Sequence, residues 1–345
     1  MRRILSLFCT VTVATAALAA PSNAAKPVAD LYKDQTVTVL VGYGAGGTYG
    51  QTSQLLARHF DSTIPGNPTI VVQYMPGAGG LKMANYAYNV MPKTGLYFLM
   101  PPELAVVSQL LRPEKVKYDA SKFTWIGRVF GTNQVMVVRR DLGAGSLEDL
   151  TKQEVIVASS GTGSPTYLIP SVANAMLGTQ FKIVTGYSGM AKSSLSMEMK
   201  ETFGLSGPWS FWKANRGPWF EGGDKSFAMP LFQVGNSKEP DLPDVPLLVA
   251  LAKSPDDKAA ASLLSTGPVL GRGFAFPPGV PADLVEEFRT AFWQTVNDPV
   301  FKEDVQKRKL PWSPMSGADI QKVVNDVLEI SPAVVAKVRT QVFGK

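Results

Sequence analysis

Thr36-Val37-Thr38-Val39-Leu40-Val41-Gly42-Tyr43-Gly44-Ala45-Gly46-Gly47-Thr48-Tyr49-Gly50 passes from a β-branched apolar run into a loop of small residues. The run, Thr36 to Gly42, is too continuously apolar for a strand with one wet face, and it suits a parallel strand buried on both. Leu55, Leu56, His59 and Phe60 then share one side of a helix that Pro65-Gly66 stops. The pattern recurs at once. Thr69 to Gln73 reads as a second strand, followed by Pro76-Gly77-Ala78-Gly79-Gly80 and a helix carrying Leu81, Ala84 and Tyr88. The two glycine loops lie 33 residues apart, about one turn of a wound α/β sheet, and right-handed crossovers put both at its carboxyl edge. A third unit follows: a strand over Glu154 to Ala158, the loop Ser159-Ser160-Gly161-Thr162-Gly163-Ser164, and a helix over Leu168 to Leu177.

Such loops share a chemistry. Glycines let backbone N–H groups approach a ligand closely, and a helix N-terminus behind them adds partial positive charge. Hydroxyls on Thr48, Thr162 and Ser164 add donors. Any one loop reads equally well as a tight turn. Three of them around a crevice favour an anion with more than one charged end. Farther on, Pro281 is expected at the first position of a helix bearing Leu284, Phe288, Ala291 and Phe292, and Ile320, Val323, Val324 and Val327 mark another packing face.

The chain has 345 residues, which suits two domains, and its 45% apolar content supports a large core. Arg2 and Arg3, the uncharged run Ile4 to Ala20 and small residues up to Ala24 have the order of a cleaved secretory signal. A retained anchor is the rival reading, and the run is short for it. The sole cysteine, Cys9, falls inside that segment, so the mature chain is expected to hold no disulfide and no thiolate metal site. The net charge of +6 is weak and dispersed, and no nucleic-acid partner is expected.

The catalytic inventory is sparse. His59 is the one histidine, with no acidic partner near it in sequence, and it reads as structural. No phosphate-cradling lysine loop occurs, and Gly42-x-Gly44-x-Gly46-Gly47 has the wrong spacing for a dinucleotide fingerprint. No nucleophile elbow is present. The sequence therefore reads as a binding protein, not an enzyme, with no cofactor and no metal. The aromatic run Pro208-Trp209-Ser210-Phe211-Trp212, with Trp219 and Phe220, reads as packing at a helix end, with stacking on a planar ligand as the rival.

The landmarks Val39 to Gly47, Ile64-Pro65-Gly66-Asn67-Pro68, Met75 to Gly80, Thr185-Gly186-Tyr187-Ser188-Gly189, Leu242 to Pro246 and Pro277 to Pro281 are similar, taken together, to those of the Bug-type periplasmic receptors of tripartite tricarboxylate transporters. The resemblance implies an α/β, type II periplasmic-binding-protein fold: two α/β lobes, two crossovers, and a ligand cleft between them that closes like a hinged trap. It implies a signal peptide over 1–25, a first lobe of 26–103 plus 269–345, and a second lobe of 104–268. Carried over residue by residue, it implies ligand contacts at Tyr43, Ala45, Gly46, Gly47, Thr48, Ala78 and Gly79 in one lobe, and near Thr162, Gly163, Ser164 and Tyr187 in the other.

Two positions depart from the pattern. Gly50 stands where many relatives carry an aspartate, and Lys192 where many carry a glutamate. An inward Lys192 would pair with a ligand carboxylate; an outward one is an ordinary solvated lysine. The ligand expected is a di- or tricarboxylate, or an aromatic carboxylate stacked on Tyr43 or Tyr49, in preference to an amino acid. The resemblance further implies a monomer in the periplasm that delivers its ligand to inner-membrane transporter subunits. The alternative is an accessory protein that signals to a membrane sensor kinase.

Overall fold

The computed structural model describes residues 28–344, so the expected signal segment and Cys9 lie outside it. Helix α1 (Val28–Tyr32) leads into strand β1 (Thr36–Val41), then α2 (Thr48–Phe60), β2 (Thr69–Tyr74), α3 (Leu81–Asn89), β3 (Tyr97–Met100), α4 (Ala105–Leu111) and β4 (Thr124–Arg128). The chain then builds β5 (Gln134–Arg139), β6 (Glu154–Ser159), α5 (Pro165–Leu177), β7 (Gln180–Thr185), α6 (Met190–Glu198), β8 (Gly204–Pro208), α7 (Trp209–Arg216) and β9 (Ala228–Val234). It returns through α8 (Pro255–Leu270) to β10 (Gly273–Phe276), α9 (Ala282–Asn297), α10 (Pro299–Lys307), β11 (Met315–Ser316), α11 (Gly317–Leu328) and α12 (Pro332–Phe343). Among these residues no helix is long and apolar enough to cross a membrane.

Two sheets result, ordered β11-β4-β10-β3-β1-β2 and β7-β6-β8-β5-β9. In the first, β1 lies parallel to β2 and β3, while β10 runs antiparallel to β3 and β4. In the second, β6 lies parallel to β7 and β8, while β5 runs antiparallel to β8 and β9. All three strand–loop–helix units expected from the sequence form, and the architecture is two α/β lobes joined by two crossings, residues 129–133 and 235–272.

Sheet membership moves the expected boundary at 103/104. Strand β4, placed by the resemblance in the second lobe, hydrogen-bonds to β10 and β11 in the first sheet. Its sequence Thr124-Trp125-Ile126-Gly127-Arg128 is buried from its second residue onward, which requires the cover that only an interior strand receives. Pro281 also differs from expectation. It precedes α9 as an extended cap residue with φ −53° and ψ 138°, and Ala282 takes the first helical position.

One apolar core runs without a break from Leu99, Leu104 and Trp125 of the first lobe to Met136, Val155 and Leu168 of the second. A second core sits under α2 and α9, around Phe60, Phe98, Phe288 and Phe292. The aromatic run packs as expected: Trp209, Phe211 and Trp212 are buried in a third cluster with Val135, Leu205 and Leu242. His59 does gain an acidic partner, Asp304 of α10, with Nε2 and Oδ2 3.2 Å apart. The chain brings the two together from 245 residues apart, and the pair ties α2 to α10.

Candidate functional site

The carboxyl ends of the parallel strands put the loops after β1, β2 and β6 at the junction of the lobes. There the glycine loops meet each other directly. Gly44 N–H donates to Ser188 O at 2.9 Å, and Gly79 N–H donates to Ser160 O at 3.0 Å. A Cβ on Gly79, whose φ is +69°, would lie 2.5 Å from Ser164 N, and one on Gly46 would lie 2.8 Å from Ala191 Cβ. Gly79 is required because main chain of the opposite lobe touches its Cα, and at Gly46 the Ala191 Cβ of the opposite lobe takes the space. Two of the amides expected to hold an anion are thus spent on closing the seam.

Beneath the seam lies a cavity of about 40 Å³. Tyr43, Gly47, Thr48, Tyr49, Glu103 and Arg272 line it from the first lobe; Gln134, Ser160, Ser164, Thr166, Gly189 and Met190 line it from the second. A buried water occupies roughly 10–15 Å³ on this measure, so the space suits a few waters and is too small for an acid the size of malate or adipate. Ligand entry in this geometry requires the lobes to part or a lining side chain to move.

Three helix N-termini face the cavity: Gly47-Thr48 of α2, Ser164-Pro165 of α5 and Gly189-Met190 of α6. None of the three has a side chain capping its N–H groups. Ser164 Oγ is engaged elsewhere, donating to Gly161 O at 2.7 Å. Uncapped N–H groups and three converging helix dipoles make the floor electropositive.

Inside this field sits a buried ion pair. The Arg272 side chain is 1% exposed, as is that of Glu103, and Arg272 Nη1 donates to Glu103 Oε2 at 2.5 Å. Arg272 Nε and Nη2 both donate to Thr48 Oγ1, at 3.0 and 2.8 Å. The guanidinium lies over the Tyr49 ring, 4.3 Å from its centroid. From the other lobe, Gln134 Nε2 donates to Glu103 Oε1 at 2.5 Å. Burial pushes the Glu103 carboxyl above its ordinary range despite Arg272 and Gln134. Burial also raises both tyrosine hydroxyls. The Tyr49 hydroxyl accepts from Glu103 N–H at 2.7 Å, and the Tyr43 hydroxyl donates to Gly79 O at 2.8 Å.

The residues expected at the site divide into three groups. Tyr43, Gly47, Thr48, Tyr49 and Ser164 line the cavity. Ala78, Thr162 and Tyr187 line a more open groove of about 390 Å³ that meets the cavity at Ser160. Ala45 and Gly46 are exposed at the rim, and Gly79 and Gly163 belong to the seam. Lys192 is exposed on α6 and lines neither space. At Gly50 a Cβ would lie 2.2 Å from Ala45 O, so the loop as folded here has no room for the aspartate of the resemblance.

Glu103, Gln134 and Arg272 were missed by the sequence reading. A signal did exist for Glu103: it is a lone acid in Pro101-Pro102-Glu103-Leu104-Ala105, at the carboxyl end of β3 beside the first glycine loop. Among the described residues no group of three His, Cys, Asp or Glu side chains is placed to hold a metal.

Comparison with known proteins agrees with this architecture. No protein-family model matches the chain. It is 23% identical over 310 residues, 86% of its length, to a UPF0065 protein of Cupriavidus necator, of which 85% is covered. The periplasmic binding protein BugD has a TM-score of 0.69 at 18% identity, over 88% of this chain and 97% of that one. MatC of Rhodopseudomonas palustris, with bound malate, has a TM-score of 0.67 at 17% identity, over 87% and 99%. Rpa4515 of R. palustris, with adipate, has a TM-score of 0.67 at 20% identity, over 88% and 97%. The fold is that of the Bug- and TctC-type periplasmic binding proteins, as the resemblance in sequence implied.

Proposed function

We propose that the protein is a periplasmic receptor that captures an organic carboxylate between its lobes and delivers it to inner-membrane transporter subunits. One observation carries this reading: three uncapped helix N-termini and a buried arginine, drawn from both lobes, face a single interlobe cavity. Such a site stabilises a negative group only while both lobes contribute, so binding shifts the population toward the closed form. The acids bound to MatC and Rpa4515 support the ligand class. No nucleophile and base are paired in the cavity, and its chemistry is that of holding, not of turnover.

The test is calorimetric titration of the purified protein with a panel of acids, namely malate, adipate, the monoamide of adipate and benzoate, and with the corresponding full amides. Heat from at least one acid, absent with the corresponding full amide, supports the reading. Silence across the acids overturns it. Delivery is tested separately, by ligand-dependent capture of transporter subunits from membranes of the source cell; capture unaffected by ligand would remove that part.

A further inference from the structure

We infer that Glu103 sets ligand choice: the cleft takes a singly charged carboxylate whose other end brings a hydrogen-bond donor, and it turns dicarboxylates away. The inference rests on the carboxylate-receptor reading and narrows it.

The cavity lining holds two unlike sets of groups. One is the N-termini of α2, α5 and α6, whose uncapped N–H groups suit a carboxylate. The other is a set of acceptors. Glu103 places a buried carboxylate there, and Gln134, itself 2% exposed, spends its Nε2 on Glu103. Gln134 Oε1 is buried with no hydrogen-bond partner among the described residues. An orphaned buried acceptor carries a cost that a ligand's O–H or N–H would remove.

Charge decides the same way. Arg272 would be the natural partner for a second ligand carboxylate, but its charge is already matched by Glu103, and one N–H of each of its nitrogens is engaged by Glu103 or Thr48. A second anionic group would have to sit beside Glu103 with no unmatched cation to meet it, and like charges brought together in a desolvated site repel strongly. A hydroxyl, amide or ammonium would instead find two acceptors waiting. The Tyr43 and Tyr49 rings, 4.5 Å apart, form an apolar wall suited to the body of the ligand.

The experiment compares adipate with its monoamide, adipamate, and succinate with succinamate, by calorimetry at pH 7.5. The monoamides are expected to bind at least about tenfold more tightly than the diacids, the scale of one like-charge contact. Glu103→Gln removes the repelling charge and is expected to narrow that ratio or reverse it, whereas Glu103→Asp keeps it. Diacids binding as tightly as monoamides to the unaltered protein would overturn the inference and leave the receptor reading standing. Binding of neither series would overturn both. The comparison on the unaltered protein decides the matter even if Glu103→Gln fails to fold.

Discussion

Replacing Arg272 by methionine removes, among the described residues, the one cation in contact with Glu103 and leaves a carboxylate that is 2% exposed with Gln134 as its remaining side-chain donor. Thr48 Oγ1 loses two donors in the same step, and the Tyr49 ring loses the charge above it. Breaking a buried ion pair from one side costs about 3–5 kcal/mol, because the survivor is stranded away from water. A carboxylate has an escape that a guanidinium lacks: it can take up a proton. Burial already holds Glu103 above its usual range, and loss of Arg272 pushes it further. A carboxyl raised in the folded state is penalised as pH climbs from its unfolded value through its folded one, and not below. The deficit of Arg272→Met is therefore expected to be small near pH 4 and to reach its full size by neutral pH.

Glu103→Gln is the mirror case. It strands Arg272, which cannot deprotonate in this range, so its deficit is expected to show no such rise with pH. Arg272→Met combined with Glu103→Gln removes both charges and is expected to be more stable than either single variant by about 2 kcal/mol or more, since neither charge is left stranded. Urea unfolding of the four proteins at pH 4.5 and 7.5 gives the cycle directly. At pH 7.5, single variants within about 1 kcal/mol of the parent, or strict additivity in the double, would mean that water reaches the pair and that the cleft is not sealed as drawn.

Three further outcomes follow from particular contacts. Gly79→Ala places a Cβ 2.5 Å from Ser164 N at a φ of +69°, whereas Gly143→Ala, at φ +78°, meets nothing within 4 Å. Both pay about 1–2 kcal/mol for the left-handed backbone, but only Gly79→Ala should enlarge the radius of gyration in X-ray scattering and weaken ligand binding; equal behaviour would refute the seam. Lys192→Glu is expected to leave ligand affinity unchanged, because Lys192 is exposed and lines no cavity; a tenfold loss would bring it into the site. Asp141 is held below the usual carboxylate range by its hydrogen bonds from Arg139. Asp141→Asn should therefore lower the unfolding free energy at pH 7, by no more than about 1 kcal/mol given solvent screening. The gap should close as pH falls through the depressed value, and a gap independent of pH would refute the assignment.

Much of the fold was legible because it is written in local terms. A β-branched run, a small-residue loop and a 3.6-period helix follow one another three times, and parallel strands with right-handed crossovers leave little freedom in where the loops go. Thr48 and Ser164 were found by that route and Tyr43 through the family resemblance, and all three line the cavity. Lys192 could not be placed, because the facing of one residue on a short helix depends on tertiary packing that periodicity in Met190–Glu198 does not reveal. The lobe boundary slipped for a related reason. Strand β4 joins a sheet whose neighbouring strand, β10, lies about 150 residues further on in the sequence.

The ion pair escaped for a reason of direction. The rule that ligands gather at the carboxyl ends of strands draws the eye to residues after β1, β2, β3 and β6. In the first sheet, however, β10 and β11 run the other way, and in the second β5 does. Strand β10 is antiparallel to β3, so the residue before it, Arg272, arrives at the edge where β3 delivers Glu103. Strand β5 is antiparallel to β8, and its first residue, Gln134, pairs with Pro208 at the end of β8. An antiparallel strand thus brings its amino end, with whatever charge stands there, to the ligand edge of an otherwise parallel array. Arg272 and Gln134 are the residues so delivered, and Glu103 is the group on which both converge. The lining of this cleft is set by that convergence as much as by the glycine loops, and only the strand directions make the three meet.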